Sequence, residues 1–237
     1  MRRFVQQVKD FASLTHHAAR QLGGRRFWIA PLLPALWIGF QMLRLVIRWR
    51  DSSYTQPDAQ NILIGSPLTV LAVVFGVRIV AGEIDRRTLE IAYTVPGGAQ
   101  RIWIAKLAAA FMMLLASEAV LVALTWIFCT DVPWSAMYGA MQGAIFFLAL
   151  SMSLAALFKG EASAGLVVIV IAAFIALFFQ STNVVLSPFW NAAATDLESG
   201  LELLGKTLQN RIGFVLVTAG IIALGFRRAE NREKLLG

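Results

Sequence analysis

"ILIGSPLTVLAVVFGVRIVAGEIDRRTLEIAYTVPGGAQR", Ile62 to Arg101, decides what kind of molecule this is. Its first half, Ile62 to Val80, carries only Arg78 near its end and is long enough, at about 1.5 Å per residue, to reach most of the way across a hydrocarbon core of roughly 30 Å. Its second half crowds Glu83, Asp85, Arg86, Arg87, Glu90 and Arg101 around a Pro96-Gly97-Gly98 stop, and a second apolar run, Leu107 to Phe128, follows at once. The pattern predicts a membrane span, a charged island in water and a return span.

Working outward, the composition agrees. With 58% hydrophobic and 15% charged residues in 237, the chain has too little polar surface to cover a water-soluble domain. Apolar runs recur at Phe27–Ile47, Ile62–Val80, Leu107–Phe128, Met137–Phe158, Ala162–Phe179 and Ile212–Phe226. We therefore expect an all-α polytopic membrane protein, a single domain over 1–237 with six transmembrane helices and both termini on one side. The sixth run is short between Arg211 and Arg227 and needs snorkelling flanks or a backward extension through Leu208.

Orientation follows from cation bias. Sixteen of the 21 Lys and Arg fall on the side of the N-terminus and the island, against Arg44, Arg48, Arg50, Lys206 and Arg211 on the other. Positive residues are retained in the cytoplasm during insertion, so the island and both termini are expected there. The net charge of +7 then suits an anionic inner leaflet and calls for no nucleic acid.

Residues 1–26 read as an amphipathic helix rather than a signal peptide. Phe4, Val8, Phe11, Thr15, Ala18 and Leu22 recur at alternating steps of four and three, which suits a helix on the membrane lipid, on the inner ends of the spans, or both. Between the fifth and sixth runs, Ser187-Pro188 and the capping-box pattern Thr195-x-x-Glu198 predict two short outer-face helices over 187–208, the second with a Leu197, Leu201, Leu204, Leu208 stripe.

Several chemistries are excluded. The only histidines, His16 and His17, lie in the amphipathic segment, away from any serine of the bundle, and form no H-E-x-x-H. No P-loop pattern occurs, so no catalytic residue, metal or nucleotide cofactor is expected in this chain, and any ATP with its magnesium must sit on another subunit. The lone Cys129 is read as a small apolar filler. Glu118, the one carboxylate deep in a span, is either inter-helix glue facing groups such as Gln142 or part of a transport path.

In the island itself, Glu83 and Arg87 are four apart in the favoured order, Glu90 lies within reach of Arg86 and Arg87, and Ile84, Thr88, Ile91 and Val95 share a face. A short amphipathic helix over 83–95 suits docking a partner better than it suits a plain connector. Glu83, Arg87-Thr88-Leu89-Glu90, Pro96, Arg101 and Lys106 together resemble the loop of type-2 ATP-binding-cassette (ABC) exporter permeases, in which a Glu closes the second span and a "[GR]T-[LF]-E" element forms a coupling helix. Arg87 stands where Gly is frequent there, and Gly97-Gly98-Ala99-Gln100 replaces a short linker. The resemblance extends over the whole order of elements.

That resemblance implies a permease subunit of the bacterial inner membrane, paired with a second permease copy in a homodimer or heterodimer and clamped by cytosolic ABC ATPase subunits. Docking would fall to Glu83, Ile84, Asp85, Arg86, Arg87, Thr88, Glu90, Ile91 and Arg101. The sparse polarity of the spans favours an amphipathic, lipid-like or peptide-like cargo. The rival readings are a secondary transporter or channel, and a membrane scaffold that transports nothing.

Overall fold

The computed structural model describes residues 2–85, 98–179, 185–194 and 200–229, with side chains from Lys9 onward except at 98–99, 178–179 and 229. All regular structure there is helical: α1 (Arg2–Gly23), a 3₁₀ helix (Phe27–Leu32), α2 (Ala35–Val46), α3 (Gln56–Asp58), a π-helix (Ala59–Gly65), α4 (Ser66–Asp85), α5 (Gly98–Phe128), α6 (Trp134–Phe158), α7 (Glu161–Phe179), a 3₁₀ turn (Ala192–Ala194) and α8 (Gly200–Ala229). Five stretches are long and apolar enough to cross a membrane: Phe27–Val46, Gln56–Asp85, Gln100–Phe128, Trp134–Phe158 and Gly200–Arg228. A sixth apolar stretch, Glu161–Leu177 of α7, is shorter.

At the centre α4 lies along α6, and both spans are about two-thirds buried. Gly76 and Ser151 make this possible: a Cβ on Gly76 would collide with the Ser151 hydroxyl, which itself turns back to bond the Phe147 carbonyl at 2.7 Å. Apolar tails outside a membrane helix are as oily as those inside, so close approach at small residues, and not apolar burial alone, holds such a pair together. α8 and α7 flank α6, while α5 packs on α4 and carries α1 across its surface.

Three sequence expectations change. The first apolar run is no continuous helix: Pro31 and Pro34 lack N–H donors, so it begins as a 3₁₀ helix and becomes α-helical only from Ala35. The separate outer helix expected before the sixth run is instead the start of α8, one helix of 30 residues in which Leu201, Leu204 and Leu208 are exposed. Nor does a helix begin at Ser187-Pro188, where the chain forms bends and turns; Thr195, Leu197 and Glu198 lie outside the described residues.

In α1 the buried face is Ala18, Ala19 and Leu22 against α5, with Phe11 left exposed. The Arg78 guanidinium, from the last turns of α4, donates to the Leu22 carbonyl at 2.8 Å and satisfies one of the orphan acceptors at the end of α1.

Candidate functional site

Polar side chains gather at the two ends of α4, with an apolar cavity beside the stretch between. At the island end, Glu83 is buried, and its Oε1 accepts from the Lys106 ammonium at 2.5 Å. Lys106 also donates to the Ile79 carbonyl at 3.3 Å. Two charges taken out of water this far are tolerable only as a pair, so α4 and α5 are locked in register there. Ile84 is half-buried against the core, and the exposed Asp85 accepts from the Glu161 backbone N–H at 3.1 Å, satisfying a free donor at the start of α7. Glu161 reaches back towards Arg78 at 3.7 Å.

Asp85, Glu161, Arg78 and the end of α1 thus form one chain of contacts around the foot of α4. Lys159 helps by ending α6 in a left-handed conformation (φ 60°), which with Gly160 turns the chain straight into α7. Arg101 is exposed on the first turns of α5. Arg86, Arg87, Thr88, Glu90 and Ile91, the rest of the expected docking set, lie outside the described residues.

At the far end the π-helix departs from regular α geometry, and its loosened carbonyls find side-chain donors. Trp37 Nε1 bonds the Ile62 carbonyl at 2.8 Å and the Ser66 hydroxyl bonds that of Asn61 at 2.6 Å. This wide turn aims Gln60 and Asn61 at the segment 185–194, where Gln60 donates to the Trp190 carbonyl at 2.7 Å and Asn61 to that of Phe189 at 3.3 Å. Asn191 returns a bond to the Pro57 carbonyl at 2.8 Å, and Asn210 of α8 binds the carbonyls of Val185 and Ser187 at 2.6 and 2.9 Å. Four amide side chains therefore carry an irregular segment whose Trp190 is buried and whose Phe189 packs on Phe147 of α6.

Between these ends a cavity of about 520 Å³ opens beside α4 and α7. Asn61, Ser66 and Thr69 line its polar end, Val70, Val73 and Val74 continue along α4, and α7 faces them with Ile169 and small alanines. Phe189 closes the top.

Glu118 and Gln142 are not brought together. Gln142 bonds Arg211 instead, accepting from its guanidinium at 2.9 Å, and Arg211 lies over the Tyr138 ring at 5.0 Å. Glu118 is buried in α5 on the side that carries Leu114, Leu121 and Thr125, and among the described residues its Oε1 and the hydroxyls of Ser117 and Thr125 have no hydrogen-bond partner. Among the described residues no group of three His, Cys, Asp or Glu could hold a metal.

Compared with known proteins, the chain matches no family model, no curated sequence and no solved structure. Site residues that sequence reasoning overlooked are Gln60, Asn61, Asn191 and Asn210. Their signal was present as amides bordering apolar runs, where an unpaired amide is costly.

Proposed function

We propose that this chain is the membrane subunit of a transporter driven by a separate cytosolic ATPase, with α7 as the sixth span, the termini and island in the cytoplasm, and a second permease copy completing the path. It carries no catalytic group of its own. The observation that supports this most is the continuity of α4: one helix forms a wall of the 520 Å³ cavity and runs unbroken to Asp85, where the charged island begins. A push on the island is delivered to the cavity wall by a rod that cannot bend easily, because Glu83–Lys106 and Asp85–Glu161 tie its foot to α5 and α7. The cavity, apolar with a polar rim, suits an amphipathic cargo.

The test is on the island. Arg86→Glu with Arg87→Glu reverses its charge towards the ATPase, where close, desolvated pairs are worth on the order of 1.5 to 7 kcal/mol. Ile91→Asp places a carboxylate on the apolar face. Both variants are expected to reach the membrane, to lose the co-purifying ATPase and to stop ATP-driven transport. Wild-type ATPase stoichiometry in both would reduce the island to a solvated connector and end this reading.

One observation favours the alternative of a secondary transporter or channel: the buried Ser117, Glu118 and Thr125 of α5 and their unpartnered atoms. Glu118→Gln separates the two. An ATP-driven permease in which Glu118 merely packs keeps its turnover, whereas a carrier that loads an ion or proton at this carboxylate loses transport while its assembly persists.

A further inference from the structure

Another cavity lies apart from this path, on the flank of α5. It has a volume of about 590 Å³ between α1, the 3₁₀ helix and α5, and is walled by residues such as Ala12, His16, Phe27, Pro31, Met112 and Ala116. Its geometry is fixed: Ala18, Ala19 and Leu22 are buried against α5, a Cβ at Gly23 would press on Phe27, and His16 meets the Phe27 ring edge-on at 5.2 Å. Its open side merges with the exposed apolar surface of Trp28, Leu32, Phe111 and Met112.

Cations flank the lining residues along the chain. The wall stripe of α1 runs Ala12, His16, and the same helical face carries Lys9 before it and Arg20 after it, at steps of three and four. Arg25 and Arg26, both exposed, immediately precede the lining residue Phe27 in the chain. No carboxylate pairs with these four cations among the described residues. An oily slot that opens onto exposed apolar surface, with cations on the same helical face and next to its wall in the chain, suits a molecule with an apolar and an anionic part.

We propose that this groove binds one anionic phospholipid of the leaflet on which α1 lies, an acyl chain between α1 and α5 and the phosphate among Arg20, Arg25 and Arg26. Basic residues near a membrane surface attract anionic lipid by about 1 kcal/mol each, roughly fivefold in affinity. Trp28, more than half exposed at the rim, occupies the position where indoles favour the headgroup boundary.

The full chain, purified in a neutral detergent, is titrated with phosphatidylglycerol or phosphatidylcholine, and bound lipid is counted by native mass spectrometry. Wild type should hold one phosphatidylglycerol after washing and no phosphatidylcholine. Arg20→Gln, Arg25→Gln and Arg26→Gln combined should abolish that preference. Ala12→Trp and Ala116→Trp, each at an exposed wall position, should displace the lipid while leaving every cation in place. Equal retention of both lipids by wild type overturns the proposal. So does loss in the charge variant with full retention in both Trp variants, because that pattern means adsorption to a basic surface without a groove. The measurement needs no ATPase, so its outcome is independent of the transport reading.

Discussion

At the scale of single residues, Glu83 and Lys106 separate structural from docking roles. Each alone would be a charge buried almost completely, with side-chain exposures of 10% and 3%. Glu83→Gln or Lys106→Met should therefore lower the stability of the detergent-purified chain by about 3 to 5 kcal/mol, because the remaining charge stays buried without the opposite charge at 2.5 Å. The double change Glu83→Leu with Lys106→Met should recover most of the loss. A thermal double-mutant cycle measures this, and additive losses would mean that the two charges do not depend on each other. Glu118 behaves oppositely. Its Oε1 has no bond to lose among the described residues, so Glu118→Gln should leave the melting temperature unchanged or raised. Glu83 was legible in the sequence as a special residue, but its pairing with Lys106, 23 positions on, was not, because no local spacing joins the two.

Elements show where pattern reading works and where it stops. Among the described residues, apolar runs located the helices long and apolar enough to cross a membrane, since a span needs only length and absence of charge, whereas α1 was read from its periodicity. Boundaries inside them depended on other rules. Pro31 and Pro34 were visible in the sequence and account for the broken first span, while the π-helix at 59–65 had no local signature, because its departure from α geometry is stabilised by Trp37, a partner from α2. That dependence is testable. Trp37→Phe keeps the ring but removes the donor from the Ile62 carbonyl, and should cost about 1 to 3 kcal/mol in a thermal or denaturant melt. A variant as stable as wild type would mean that the wide turn needs no outside donor.

For the molecule as a whole, the two ends differ in how their cations are held. At the end away from the island Arg50 pairs with Asp58 at 2.8 Å, Lys206 with Glu202 at 2.7 Å, and Arg44 and Arg211 bond Gln41 and Gln142. The opposite end keeps exposed arginines on and after α1. Among the described residues, then, the exposed arginines of α1 and the turn after it are cations left to solvent or lipid, whereas Arg78 and Lys106 near the foot of α4 are paired. In a Cys129→Ala background, Thr88→Cys should resist an impermeant maleimide in intact cells while Ser53→Cys, exposed in the loop after α2, reacts. The reverse pattern would invert the proposed topology. A different consequence follows from the length of α8. Thirty residues make a rod of about 45 Å, half as long again as a hydrocarbon core of roughly 30 Å, yet Asn210 and Arg211 fasten its middle to neighbouring elements. Such a rod must tilt or carry its exposed leucines into the headgroups, and each ångström of thinning makes the mismatch worse. Were α8 to cross a bilayer, thinning would demand more tilt of a helix that Asn210 and Arg211 hold to its neighbours, so membrane thickness would load those contacts.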